Sequence, residues 1–88
     1  MFDWDDGNID HIAHHHVAPD EAEEALLDRH RLTVPARSPV HERRWAVLGE
    51  TEGERVLYVV TTRRFGLVRV VTARNATPTE RRQYRRKR

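Results

Sequence analysis

The stretch RWAVLGETEGERVLYVVTTRRFGLVRVVTAR, residues 44–74, decides the fold. Arg44 to Leu48 reads as a strand, Gly49 to Glu54 as a turn and Arg55 to Thr62 as a second strand. Arg63-Arg64-Phe65-Gly66 is another turn and Leu67 to Arg74 a further strand. Consecutive strands joined by such short turns predict an antiparallel meander. Two runs, Val56 to Val60 and Leu67 to Val71, are almost continuously apolar, which predicts cover on both faces of that part of the sheet.

Working outward, Arg31 to Val34 predicts one more strand, ended by Pro35, and Pro35 to Pro39 reads as loop. Nearer the start, Phe2 to Trp4 predicts a short strand. Asp5 or Asp6 then caps a helix running to about His15, with Ile9, Ile12 and Ala13 on its inner face. Val17-Ala18-Pro19 breaks it. Pro19 suits the first position of a second helix, whose Asp20, Glu21, Glu23 and Glu24 favour its positive end, and Ala22, Ala25, Leu26 and Arg29 share a face with Leu27 beside them. At the other end Thr77-Pro78-Thr79-Glu80 is a capping box that starts a last helix. The expectation is a single α+β domain over residues 1–88: a small antiparallel sheet, two N-terminal helices and one C-terminal helix.

A chain of 88 residues buries only about 60–65% of its unfolded surface, so the core is modest and a second domain does not fit. With no cysteine, neither disulfides nor a thiolate metal site supplement that core. The N-terminus lacks the basic and apolar regions of a signal peptide, and no apolar run reaches the roughly 18 residues of a membrane span, so an intracellular protein with no membrane contact is expected. The net charge of +2 conceals a segregation: residues 1–28 carry nine acids and no Lys or Arg, against five acids and sixteen bases in residues 29–88. Such asymmetry points to a polyanion on the basic part. Fifteen of those bases are Arg, a bias that genome composition alone can produce, so placement carries more weight than abundance.

Placement singles out three groups. His11, His14, His15 and His16 crowd the end of the first helix, where His11 and His15 are four apart and suited to proton transfer near neutral pH. A metal shared by two of them is the other reading of that spacing, but no acidic motif of zinc-protease type accompanies them. Arg69, Arg74, Glu80 and Tyr84 join the last strand to the last helix. Arg69 and Arg74 fall on opposite sides of an ideal strand, so both reach one site only if the strand bends or Arg74 is already in the turn. As an RNA-cleaving site, an Arg neutralises charge on phosphorus while Glu80, Tyr84 or a histidine moves protons. The bland readings are a capping role for Glu80 and burial of the Tyr84 ring. Finally, Arg81 to Arg88 would carry bases around most of a helix, as an RNA-tracking surface does, and Phe65 at a turn tip beside Arg64 is the best base-stacking candidate.

Several local strings resemble the BrnT family, the ribonuclease toxins of bacterial type II toxin–antitoxin pairs, over nearly the whole chain. Phe2-Asp3-Trp4-Asp5 is similar to the family's opening F-x-W-D, and His15, Val17 and Glu21-Ala22 to its H-G-V-x-x-x-E-A stretch. Arg44-Trp45 with Gly49 resembles its E-R-W and following glycine, and Leu57 to Thr62 its L-x-V-x-x-T strand. The most specific part is Arg69 to Ala76 with Glu80-Arg81 and Tyr84, similar to R-I-I-S-A-R-x-A-x-x-x-E-R-x-x-Y. The chain departs from the pattern at His14 and His16, where the family usually has Lys and Gly, and at Asn75, where a basic residue often stands.

The resemblance implies a RelE-like fold and a cytoplasmic, metal-independent endoribonuclease that needs no cofactor. It also implies a BrnA-like ribbon-helix-helix antitoxin, through which alone the toxin meets DNA. RNA cleavage would use the ribose 2′-hydroxyl and leave a cyclic phosphate. On this reading Arg69 and Arg74 stabilise charge, His15 and Glu80 are the acid–base candidates, and Tyr84 positions. Arg44, Arg64, Phe65, Arg81, Arg82 and Arg85 are the candidate RNA contacts. The alternative is a non-catalytic RNA-binding regulatory module of the same fold.

Overall fold

Why the chain folds back on itself is clearest at Asn8. Its side-chain oxygen accepts the Asp5 N–H (2.8 Å) while its own N–H donates to the Asp5 carboxylate (3.2 Å), a reciprocal cap that starts a helix. Its amide then donates to the carbonyls of Asp3 (2.9 Å) and Val70 (3.1 Å), so one buried polar side chain ties the helix start to two strands. The computed structural model describes residues 1–39 and 41–87; Arg88 of the basic tract lies outside the described residues. In chain order the elements are β1 (Phe2–Asp3), α1 (Asp6–Ala13), α2 (Pro19–Leu27), β2 (Leu32–Val34), β3 (Trp45–Glu50), β4 (Val56–Arg64), β5 (Leu67–Asn75) and α3 (Pro78–Lys87).

The sheet has the order β1-β5-β4-β3-β2. β2 to β5 form the expected antiparallel meander. β1 departs from it by pairing parallel to β5, Phe2 opposite Val68 and Asp3 opposite Arg69, so the sheet is mixed. Both α1 and α2 intervene between β1 and the meander, which gives the crossover that a parallel pair requires.

Leu57, Val59, Val70 and Ala73 meet Ile12, Val17, Ala22 and Ala25 of the α1–α2 region on one face of the sheet. On the other, Leu48 and Val56 meet Tyr84 of α3 and Ala76. The apolar run of β4 is therefore covered on both sides, and burying one such Val or Leu stabilises by roughly 1.5–3 kcal/mol. α2 approaches so closely that a Cβ on Gly49 would lie 2.0 Å from the Ala25 carbonyl oxygen.

α1 is shorter than its spacing predicts because the chain closes it in a left-handed turn. His16 has φ 60°, its N–H donates to Ala13 and the Val17 N–H donates to Ile12. Val17 and Ile12 are both buried, the apolar contact that accompanies this closure. Of the expected inner face only Ile12 is fully buried, with Ile9 half-buried and Ala13 exposed, because Asn8 occupies the position against β5. The α3 cap forms as read: Glu80 N–H donates to the Thr77 hydroxyl (3.1 Å) and Thr77 N–H to the Glu80 carboxylate (2.8 Å).

Candidate functional site

β5 does not run straight. Val60 of β4 lies opposite Thr72 but Thr61 lies opposite Val70, which leaves Val71 out of the pairing. A bulge of this kind resets the alternation of side chains. Arg69 sits opposite Thr62 and Arg74 opposite Tyr58, and Thr62 and Tyr58 are four apart on β4, so both arginines project from one face, the face that α3 partly covers. They are roughly 13 Å apart along the strand, at about 3.3 Å per residue.

Arg69 belongs to the uncovered end of that face. It lines a pocket of about 340 Å³ with Asn8, His11, Glu42, Arg44 and Thr62. Its guanidinium is gripped by Asp5, the α1 cap, through two bonds of 3.0 and 3.1 Å, with Asp3 at 3.5 Å. Two of its five donors are thus used on Asp5. The Arg69 bond is the main reason that the Asp5 carboxyl falls from an ordinary 3.8 to about 2. Arg64 reaches the same two acids, at 2.7 Å to Asp3 and 3.4 Å to Asp5. Arg44 is held at 2.5 Å by Glu42.

The histidine that lines this pocket is His11, whose Nε2 shares a 3.1 Å hydrogen bond with the Thr72 hydroxyl. His15, the family-matched residue, stands behind it with the rings edge to face at 5.7 Å. His14 turns away, donating from Nδ1 to the Asp10 carbonyl at 2.7 Å. The i, i+4 spacing of His11 and His15 was visible in the sequence, but which of them looks along β5 depends on where α1 crosses the sheet edge.

Arg74, Glu80 and Tyr84 lie elsewhere. Arg74 makes a two-pronged pair with Glu80 (2.8 and 3.1 Å) and stacks over Tyr58 at 4.2 Å. Arg74 first and Thr77 after it hold the Glu80 carboxyl below its ordinary range despite partial burial. Tyr84 is fully buried, and its hydroxyl donates to Asp28 at 2.5 Å. Burial pushes the Asp28 carboxyl up, but the bonds from Tyr84 and from the Glu50 and His30 N–H groups outweigh it and leave the group below its usual value. Asp28 is thus the half-buried anchor of α3, 56 positions away from Tyr84 in sequence.

Other candidate contacts stand on the surface. Phe65 is 91% exposed at the β4–β5 hairpin tip, with φ 54° and Gly66 at 74°, and the Arg64 guanidinium lies 5.6 Å over its ring. On α3, Arg81 donates to the Ala76 carbonyl and Arg82 to the Thr79 hydroxyl, while Arg85 and Arg86 are exposed. Arg82, Arg85 and Arg86 line one cationic hollow. A larger cleft of about 500 Å³ is lined by Asp20, Glu23, Glu24, Asp28, Glu50 and Glu52, a setting that repels a polyanion.

A family model described as "Ribonuclease toxin, BrnT, of type II toxin-antitoxin system" matches residues 4–80. The chain belongs to the BrnT family. It is therefore a ribonuclease toxin of the type II class, with RNA as substrate and an antitoxin as partner. The BrnT match spans β1's neighbour Trp4 through Glu80 and includes every residue of the Arg69 pocket. A comparison with curated proteins finds no match. Among the described residues no helix is long and apolar enough to cross a membrane.

Proposed function

We propose that the Arg69 pocket is the RNA-cleaving centre of a metal-independent endoribonuclease. The observation that carries this reading is that Arg69, Arg44 and His11 line one cavity on the uncovered end of the sheet face. The scissile phosphate sits beside Arg69, whose remaining donors and those of Arg44 meet the charge that builds on phosphorus. The ribose 2′-oxygen attacks as its proton passes to a neutral imidazole, forming the 2′-O–P bond. The bond from phosphorus to the 5′-oxygen breaks as that oxygen takes a proton from an imidazolium, leaving a cyclic phosphate and a 5′-hydroxyl. His11 is the pocket-lining imidazole that passes the proton, with the His15 ring edge to face against it as its neighbour.

Arg74, Glu80 and Tyr84 act on this centre by holding α3 to the sheet rather than by touching RNA. Phe65, Arg64 and the outward arginines Arg82, Arg85 and Arg86 extend the RNA track. The partner on this reading is a BrnA-like ribbon-helix-helix antitoxin, with DNA contacted through it alone and the cytoplasm as the site of action; the type II toxin–antitoxin family supports an antitoxin partner.

The test is incubation of the purified chain with RNA in excess chelator, with products resolved by end chemistry. A cyclic phosphate end is expected, and expected to vanish in His11→Ala. RNA binding with no product at any protein concentration would leave only a non-catalytic RNA-binding module, and loss of cleavage on chelation would end the metal-free mechanism.

A further inference from the structure

We infer that the groove between α2 and the sheet, on the face opposite the arginine pocket, anchors the antitoxin through an amphipathic segment carrying apolar and acidic side chains. Among the described residues four large apolar side chains are left exposed, and three of them, Met1, Leu27 and Trp45, line this one groove of about 420 Å³. Leu26, Val47 and Val68 form its floor and walls. Apolar exposure concentrated in this way marks an interaction site rather than scattered surface.

Charge selects the occupant. Arg31 and Arg63 rim the groove, so the apolar anchors come with carboxylates beside them. RNA lacks the apolar anchors. A second copy docked by two-fold symmetry would bring its own Arg31 and Arg63 against this rim. An acidic amphipathic segment meets both demands, in the manner of a helix laid in a groove.

The groove also leads to the pocket. Trp45, Thr62 and Arg63 belong both to the groove and to a hollow with His41, Glu42 and Arg43, and Glu42 and Thr62 belong in turn to the Arg69 pocket. A segment seated on Leu27 and Trp45 is therefore able to continue round the end of the sheet, past Arg63 and Arg43, and lay acidic groups over Arg44 and Arg69. Anchorage and inhibition would occupy the two ends of one path.

This inference rests on the toxin–antitoxin reading, and its test separates the two. The cognate antitoxin is titrated against wild type and against Leu27→Asp, with RNA cleavage measured in parallel. Loss of one central apolar anchor is expected to weaken binding about 100-fold. The free Leu27→Asp toxin is expected to cleave RNA as wild type does, yet escape neutralisation. Because the chain has no cysteine, Leu27→Cys gives a single thiol, which the antitoxin is expected to shield from alkylation. Binding of Leu27→Asp at wild-type affinity, an unshielded thiol, or no complex with wild type would each overturn the inference. So would a toxin dimer that Leu27→Asp dissociates, since the groove would then belong to a second copy. If neither protein cleaves RNA, the ribonuclease reading fails and the binding comparison still decides the groove.

Discussion

Arg69 and Arg74 project from the same face of β5 because Val71 has no partner on β4. Their surroundings nevertheless divide them: Arg69 opens onto the pocket with His11 and Arg44, whereas Arg74 is spent on Glu80 and the Tyr58 ring. Arg69→Ala is therefore expected to lower cleavage about 10²–10³-fold, the cost of one charge-stabilising donor group. Arg74→Ala is expected to cost roughly 1 kcal/mol of stability, as for a partly exposed two-pronged pair, with cleavage per folded molecule changing far less. Urea melts and single-turnover cleavage on both variants check the division.

Phe65 combines near-complete exposure with a left-handed backbone that an aromatic residue does not favour. Asn before Gly is the better hairpin tip. Phe65→Asn is expected to raise stability by about 0.5–1 kcal/mol while removing a stacking surface of roughly 1–3 kcal/mol per base. Unchanged RNA affinity would free Phe65 from any RNA role.

His16 closes α1 at φ 60°, where glycine adopts the same turn without strain. His16→Gly is expected to stabilise by about 0.5 kcal/mol, the relief of the left-handed conformation less the extra freedom gained by the unfolded chain. The melting temperature should rise by a few degrees.

Gly49→Ala is expected to destabilise by about 2–3 kcal/mol, since the new methyl group meets backbone that cannot rotate away. The midpoint of urea unfolding reports it.

Asp5, Glu21, Asp28 and Glu80 all titrate below their ordinary values in the fold. The Ala18 N–H is the main cause at Glu21, with Arg55 also pairing it at 2.9 Å. Groups lowered in this way contribute fully above the unfolded values of 3.8 and 4.5, and the contribution is lost as pH falls through the folded ones. Stability should therefore be flat near neutrality and decline from about pH 4.5 towards about pH 2. A urea midpoint that rises as pH falls through that range would contradict these pairings.

Local chemistry made much of this legible. Thr77 and Glu80 are three apart, so their cap is written in four consecutive residues, and the β4–β5 turn announces itself at Gly66. The Val71 bulge carries no glycine to mark it, so the shared face of Arg69 and Arg74 rested on a bend that no residue type signalled. Tyr84 and Asp28 are 56 positions apart and nothing in either neighbourhood names the other. His11 and His15 have the same spacing rule and different neighbours, and only the crossing of α1 over the β5 edge separates them.

The parallel pairing of β1 with β5 also sets a timetable. Asp5 and Arg69 are 64 positions apart, and the Met1 carbonyl accepts the Val68 N–H, so β1 waits for β5, the last strand among the described residues, before it finds a partner. A chain synthesised only as far as β4 carries His11 and the acidic residues before it but no Arg69 to gather them. The pocket comes into being only once β5 has been made and has met β1, so a chain that stops short of β5 cannot assemble it.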